Sequence, residues 1–378
     1  MRVLNVTSSI DLKSGGGTGE RTFQMSYALA QAGVECTVLT LSIGLHSARV
    51  DAMRPASTVA LPCMWRRFYV PLGGWMTIDR LVRQADLIHL MGHWSVLNAL
   101  VYLAARRAAK PYVVCPAGAL PLFGRSGWLK RAYNFIVGDA IVRNASAWIA
   151  VTPIEFTQFA AYGIATSNVL VLPNGVRDDD VSPQTLPSTG RLPDSPFIMF
   201  MGRLNPIKGP DLLLEAFALV SSRCPGHHLV FAGPDAGMLC ELTASAERLG
   251  LSHRVHFLGH VEGGEKVGAY RSAQLLVVPS RQEAMSIVAL EAGISGTPVL
   301  MTDQCGFDDI AALDSRLVVT ASREGIAAGL LALLNDAGEL RQIGLRTRAF
   351  VQAKYAWPAI IMQYLDLYRR IVGVRPLP

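Results

Sequence analysis

Two carboxylates with seven residues between them, Glu283 and Glu291, follow the apolar run 275–279 and lead into Gly296-Thr297-Pro298-Val299. A strand that ends in a Pro-Ser turn and then opens a helix places amide groups and a helix N-terminus at the strand's carboxyl end. Open α/β sheets bind phosphate there. Glu283 falls in the turn and Glu291 about two helical turns on, roughly 12 Å along the axis at ~1.5 Å per residue. Acceptors so far apart cannot share a proton as a catalytic dyad; they suit two different polyhydroxyl parts of one long ligand.

A second group lies upstream. Arg203 and Lys208, flanked by Gly202 and Gly209, follow the apolar run 197–201. Two cations at the carboxyl end of a strand suit a diphosphate, and they neutralise developing charge without a metal. The turn 13–21, with Gly15-Gly16-Gly17 before a helix, is a further phosphate or backbone-approach device. It does not fit the dinucleotide pattern G-x-G-x-x-G, and no acidic residue closes the second strand, so a nicotinamide cofactor is not expected.

The elements that must position these groups alternate between strand and helix. Strands are expected at 2–7, 35–41, 86–90, 111–115, 147–151 and 169–172, with a helix over 19–32. A polar, proline-rich linker over 177–196, with Asp178-Asp179-Asp180 and four prolines, interrupts the pattern. Strands resume at 197–201, 228–232, 254–258, 275–278, 298–301 and 317–319, and a last helix covers 357–371. The reading is an α/β chain of two doubly wound domains, 1–176 and 197–356, with the segment 357–378 crossing back onto the first.

Half of the 378 residues are apolar and 17% are charged, as buried parallel sheets require. Six cysteines without C-x-x-C spacing read as buried thiols in a reducing compartment. The chain enters a strand at once, leaving no room for a signal peptide, and no apolar stretch reaches the ~18 residues of a membrane span. A cytoplasmic protein is expected. Residues 1–170 carry 16 Lys and Arg against 8 Asp and Glu, while the remainder carries 19 against 21. Basic residues cluster with aromatics at 65–69 and 125–131, which suits the inner face of an anionic plasma membrane and a peripheral location. No nucleic-acid module accompanies the charge.

The ordered set of motifs resembles the retaining GT-B glycosyltransferases of family 4. Their signature, Glu-x7-Glu before a Gly-Thr-Pro-Val strand, reads here as Glu283–Glu291 and Gly296–Val299. Leu172-Pro173-Asn174-Gly175-Val176, Gly202-Arg203-Leu204 with Lys208-Gly209, and Phe231-Ala232-Gly233 fall in the family's order. The resemblance implies a GT-B fold, two Rossmann-like domains facing each other across a cleft, the first for the acceptor and the second for a UDP- or GDP-linked sugar. It implies that Arg203 and Lys208 hold the donor diphosphate, and that Gly16, Gly17, Gly202 and the amides of Met285, Ser286 and Ile287 line the donor. Glu283 would meet the transferred sugar and Glu291 the ribose. In many relatives an H-x-H follows an Asp and two apolar residues; here Asp86-Leu87-Ile88-His89-Leu90-Met91 puts Met91 at the second histidine. His93 then stands as the substitute, with His89 and Asn174 on the acceptor side.

The expected activity is retaining transfer of a hexose to a saccharide acceptor, polyprenyl-linked, in bacterial O-antigen or exopolysaccharide assembly, with no metal or other cofactor. Two alternatives share the architecture. A non-hydrolysing nucleotide-sugar epimerase would yield an epimer without acceptor. A non-catalytic sugar-nucleotide-binding homologue would bind donor and never turn over.

Overall fold

In the computed structural model, which describes residues 1–122, 127–177 and 190–373, the first unit comprises Met1–Gly175 and Trp357–Pro378. Its elements are β1 (Arg2–Val6), α1 (Leu12–Gln31), β2 (Glu35–Leu41), α2 (Ser47–Asp51), β3 (Ser57–Leu61), β4 (Cys63–Trp65), β5 (Val70–Pro71) and α3 (Trp75–Gln84). There follow β6 (Leu87–Met91), α4 (Val96–Arg107), β7 (Tyr112–Cys115), α5 (Gly127–Tyr133), α6 (Asp139–Arg143), β8 (Ala147–Ala150), α7 (Phe156–Ala160) and β9 (Val169–Val171). A single π-helical turn, Asn134–Gly138, joins α5 to α6.

Seven strands form one sheet in the order β3-β2-β1-β6-β7-β8-β9, every pair parallel. The central strands are apolar on both faces because helices cover both, and β6 and β7 are buried at every position. The sequence pattern missed β3 and the β4–β5 hairpin. β3 is an edge strand with Ser57 and Ala60 exposed, so it carries no apolar run. The first helix begins at Leu12 rather than 19 and is kinked at Gly16, whose φ of 56° and ψ of −154° only glycine adopts cheaply.

The second unit, Val176–Ala356, repeats the plan. It runs β10 (Phe197–Met201), α8 (Pro210–Val220), β11 (His228–Ala232), α9 (Leu239–Arg248), β12 (Val255–Gly259), α10 (Gly263–Ser272), β13 (Leu275–Val278), α11 (Ile287–Ile294), β14 (Val299–Thr302), β15 (Val318–Val319), α12 (Arg323–Leu334) and α13 (Ala337–Tyr355). The six-stranded sheet is parallel in the order β12-β11-β10-β13-β14-β15. Each unit thus holds one doubly wound, Rossmann-like parallel sheet. Most of the expected linker, residues 178–189, lies outside the described residues. No helix among the described residues is long and apolar enough to cross a membrane.

The last helix, α14 (Trp357–Val372), belongs to the first unit and packs on α1. It closes a buried polar network. Trp357 Nε1 donates to Gln24 Oε1 at 2.8 Å, and the fully buried Arg21 donates to Tyr364 Oη at 2.6 Å, Asn174 Oδ1 at 2.6 Å and the Leu172 carbonyl at 2.8 Å. In the middle of β6, His89 is wholly buried with its Nδ1 2.6 Å from Tyr368 Oη. His89 and Asn174, expected on the acceptor side, are thus committed to this network. In β6 both faces are covered, so His89 points into the core.

Burial, reinforced by the neighbouring Arg21 charge, pushes the His89 imidazole down from 6.5 to about 3. The unfolded chain takes up a proton there below pH 6.5 and the folded chain does not. Stability is therefore full above that pH and falls as pH drops towards 3, by up to about 1.4 kcal/mol per pH unit. Urea denaturation between about pH 7 and 5 should show a shallower fall in His89→Gln than in the wild type. Equal slopes would contradict a buried neutral His89.

Candidate functional site

In a parallel sheet the strand order reverses at one point, where successive connections leave on opposite faces and open a crevice at the strands' carboxyl ends. The first unit reverses between β1 and β6, the second between β10 and β13. Each crevice holds one group of candidate residues.

In the second unit the chain leaves β10 at Met201 into Gly202 and Arg203. Asn205 then caps a short 3-10 turn, Pro206–Lys208, its Oδ1 accepting from Lys208 N at 3.0 Å. Gly209 follows with φ 68°, and a Cβ there would lie 2.1 Å from the Pro279 carbonyl oxygen. That close approach binds the loop after β10 to the loop after β13. Arg281 N donates to the Ile207 carbonyl at 2.8 Å, and the Arg281 guanidinium donates to both Asp211 oxygens at 2.9 and 2.6 Å and to the Pro206 carbonyl at 2.7 Å.

These contacts deliver Lys208 Nζ to Glu283 Oε1 at 2.9 Å. Ser280 Oγ donates to the same carboxylate oxygen at 2.5 Å, and Glu283 N donates to the Gln304 carbonyl at 2.8 Å. The Glu283 side chain is 8% exposed, whereas Arg203 is exposed and its guanidinium has no partner among the described residues. An ammonium already beside a carboxylate can still offer its remaining protons to an anion.

Glu291 sits in α11 and is held from α10. Lys266 Nζ donates to its Oε1 at 2.6 Å and the buried Tyr270 Oη to its Oε2 at 2.8 Å. Of the three amides expected to face an anion, that of Ser286 is already taken, donating to the Cys305 carbonyl at 3.1 Å. This is a correction: Ser286 contributes no free amide, because Gly306 folds the following loop back onto residues 284–286. Met285 is buried beside it, and Ile287 opens the helix, where first-turn amides lack intrahelical acceptors.

In the first unit, a pocket of about 200 Å³ lies at the ends of β1 and β6, lined by Thr7, Ser9, Tyr69, Met91, His93 and Trp94, among others. Gly15 joins this lining; Gly16 makes the kink that brings it there, and Gly17 is exposed. Met91 and His93 both face the pocket. His93 is 4% exposed, ringed by Trp94, Tyr133 and Tyr162 with centroids 4.5, 5.6 and 5.7 Å away. Burial pushes its imidazole down to about 4, so it is neutral near pH 7.

Sequence reasoning did not single out Ser280, Arg281, Asp211, Lys266, Tyr270 or Asn134. Of these, Ser280 lies in the Pro-Ser turn noted above and Arg281 two positions before Glu283; the others carried no signal. No group of three or more His, Cys, Asp and Glu side chains among the described residues is placed to hold a metal ion. Asp235 caps the following turn, accepting from the amides of Gly237, Met238 and Leu239.

Comparison with known proteins adds the following. The family Glycosyl transferases group 1 matches residues 183–350, and the Glycosyl transferase 4-like domain matches residues 16–175. The D-inositol 3-phosphate glycosyltransferase of Nocardia farcinica is 33% identical over 404 aligned positions, covering 93% of this chain and 84% of that protein. Among solved structures, sucrose-phosphate synthase from Thermosynechococcus elongatus superposes with a TM-score of 0.76 at 21% identity, covering 99% of this chain and 100% of that one. Anabaena HepE in complex with UDP-glucose gives 0.77 at 19% identity, covering 98% and 100%. At these identities the two structures establish the fold.

The loop geometry yields a contrast in stability. Gly209→Ala should cost about 1–3 kcal/mol, from a left-handed φ and a collision with backbone, whereas Arg203→Ala should stay within about 0.5 kcal/mol. Chemical denaturation reads both, and equal losses would contradict the close approach at Gly209.

Proposed function

The chain belongs to the glycosyl transferases group 1, the retaining family 4 of GT-B hexosyltransferases that use a nucleotide-sugar donor, and on that premise we propose that it moves a hexose from a UDP-linked donor to a saccharide carried on a lipid. The observation that carries this reading is the Lys208–Glu283 pair, with the exposed Arg203, at the switch point of the second sheet.

Arg203 and Lys208 receive the diphosphate and stabilise the negative charge that grows on it as the glycosidic bond breaks. Glu283 accepts hydrogen bonds from hydroxyls of the transferred sugar, its orientation fixed by Ser280 and Lys208. Glu291, aimed by Lys266 and Tyr270, accepts from the ribose. No carboxylate is placed as a covalent nucleophile in this reading, so the acceptor hydroxyl attacks from the leaving group's own face and passes its proton to the departing β-phosphate. His93, neutral beside the first unit's pocket, accepts a hydrogen bond from a sugar hydroxyl.

The pocket's surroundings support a lipid-linked acceptor. Tyr69 joins the pocket to the β4–β5 hairpin, which exposes Met64, Trp65, Arg66 and Arg67. Trp94 joins it to α5, whose Lys130 ammonium lies 5.1 Å from the Trp94 ring. Trp128, Phe135 and Ile136 stand exposed nearby in sequence, with Arg131. Aromatic and basic residues without acidic ones between them suit an anionic bilayer surface, each cation contributing about 1 kcal/mol. Arg125 of the basic cluster lies outside the described residues. A phosphorylated polyol is the second reading for the acceptor, favoured by the name of the Nocardia relative.

Thermal shifts with UDP, GDP and ADP separate the donors. A nucleotide at 100 times its Kd adds about 2.7 kcal/mol, and we expect UDP to give the shift; stabilisation by GDP alone would overturn the donor. With UDP-glucose, Arg203→Ala and Lys208→Ala should each lower kcat by about 10²–10³; unchanged turnover in both sinks the diphosphate assignment. Removing Arg66, Arg67, Lys130 and Arg131 together should weaken sedimentation with phosphatidylglycerol vesicles, and an unaltered partition discredits the membrane surface.

A further inference from the structure

The π-helical turn Asn134–Gly138 adds a residue to the turn between α5 and α6, a local irregularity that recurs at functional sites. Its first residue and the one before it both grip the loop after β6. Tyr133 Oη donates to the His93 and Ser95 carbonyls, each at 3.0 Å. Asn134 Oδ1 lies 2.9 Å from His93 Nε2, and Asn134 Nδ2 donates to Tyr162 Oη at 2.7 Å. Tyr162 Oη in turn donates to the Leu120 carbonyl at 3.5 Å.

This chain has a direction. The amide is placed with its NH2 towards Tyr162 Oη and its oxygen towards His93 Nε2, which leaves the Leu120 carbonyl, at 3.5 Å, as the acceptor for the Tyr162 hydroxyl. An amide oxygen needs a donor, and a neutral imidazole has one N–H. The proton is therefore on Nε2, and the lone pair is on Nδ1, which has no hydrogen-bond partner among the described residues. The opposite tautomer would set a lone pair against the amide oxygen.

Gly138 guards the same contact from behind. A Cβ there would stand 2.3 Å from Asn134 Oδ1 and 2.9 Å from the Tyr133 ring, so any other residue at this position pushes the amide oxygen off His93.

We propose that Asn134 is a positioning residue for the transfer reaction, one that selects the Nε2–H tautomer of His93 and so presents Nδ1 as a hydrogen-bond acceptor for a sugar hydroxyl. The inference rests on the role given to His93 above. The charged groups acting on this ring are Asp139, which favours its protonated form, and Lys130, which opposes it; burial among Trp94, Tyr133 and Tyr162 outweighs both and keeps it neutral. Asn134 thus works by choosing where a single proton sits, without adding charge.

The test is the 15N spectrum of histidine side chains in the full-length protein, with His93 assigned from the spectrum of His93→Ala. The wild type and Asn134→Asp, which keeps an acceptor oxygen, should carry the His93 proton on Nε2. Asn134→Leu should shift population to Nδ1–H. So should Tyr162→Phe, which deletes one hydroxyl and frees the amide to flip. In Asn134→Asp the titration midpoint of His93 should also rise by about one to three pH units beside the new carboxylate. UDP release from UDP-glucose should fall roughly ten- to a hundredfold in kcat in Asn134→Leu, with donor KM within about twofold, and recover in part in Asn134→Asp. A proton that stays on Nε2 in both Asn134→Leu and Tyr162→Phe overturns the inference. A wild-type rate in His93→Ala instead overturns the role of His93, and the two failures are told apart by the spectrum.

Discussion

Parallel strands can be joined only by crossovers, and the crossovers can part to opposite faces only where the strand order reverses. Both groups of candidate residues in this chain lie at that point of their sheet. In the second sheet it makes neighbours of the loops after β10 and β13, which are far apart in sequence. In the first it opens the pocket between the ends of β1 and β6. Because the strands below are buried on both faces, the loops are anchored to a support that does not deform. A charged side chain there is held to a fixed place at little further entropic cost.

The anchoring differs between the charges. Lys208, Glu283 and Glu291 are partly or largely shielded and each is bonded to a protein partner, so their directions are set before any ligand arrives. Arg281 forms a two-pronged pair with Asp211 of α8 and bonds the Pro206 and Ile207 carbonyls, joining the two loops. Arg203 alone among the site cations is exposed, its guanidinium without a partner among the described residues. In the proposed reading, a site of this kind pairs fixed acceptors for neutral hydroxyls with one exposed cation for charge. The order matches the chemistry, since hydroxyl recognition depends on angle and distance, whereas a cation acts over a longer range.

The sheet strands were readable because their residues are apolar on both faces, and Arg203, Lys208 and Glu283 stood out as candidates because they lie in the loops that follow the runs 197–201 and 275–279. What the sequence hid is of two kinds. The edge strand β3 and the β4–β5 hairpin are half exposed, so no apolar run marks them. Partners that aim a functional group come from other elements: Tyr270 lies 21 positions from Glu291, Asn134 41 positions from His93, and Asp211 70 positions from Arg281. No spacing rule connects such pairs. His89 shows the opposite case. It sits in a motif-like context, yet the middle position of a central strand sends its side chain into the core, where Tyr368 receives it.

That receiving helix has a consequence for how the protein is made. The second unit is one unbroken stretch of chain, while the first needs residues from both sides of it. A ribosome therefore finishes the second unit while the first still lacks α14, and domains fold as units during synthesis. Until the last helix emerges, Arg21, His89 and Gln24 lack the partners that Tyr364, Tyr368 and Trp357 supply. The unit assembled from both sides of the other is therefore completed after it, and a nascent chain stalled before residue 357 would hold one completed sheet domain and one without the partners that α14 brings.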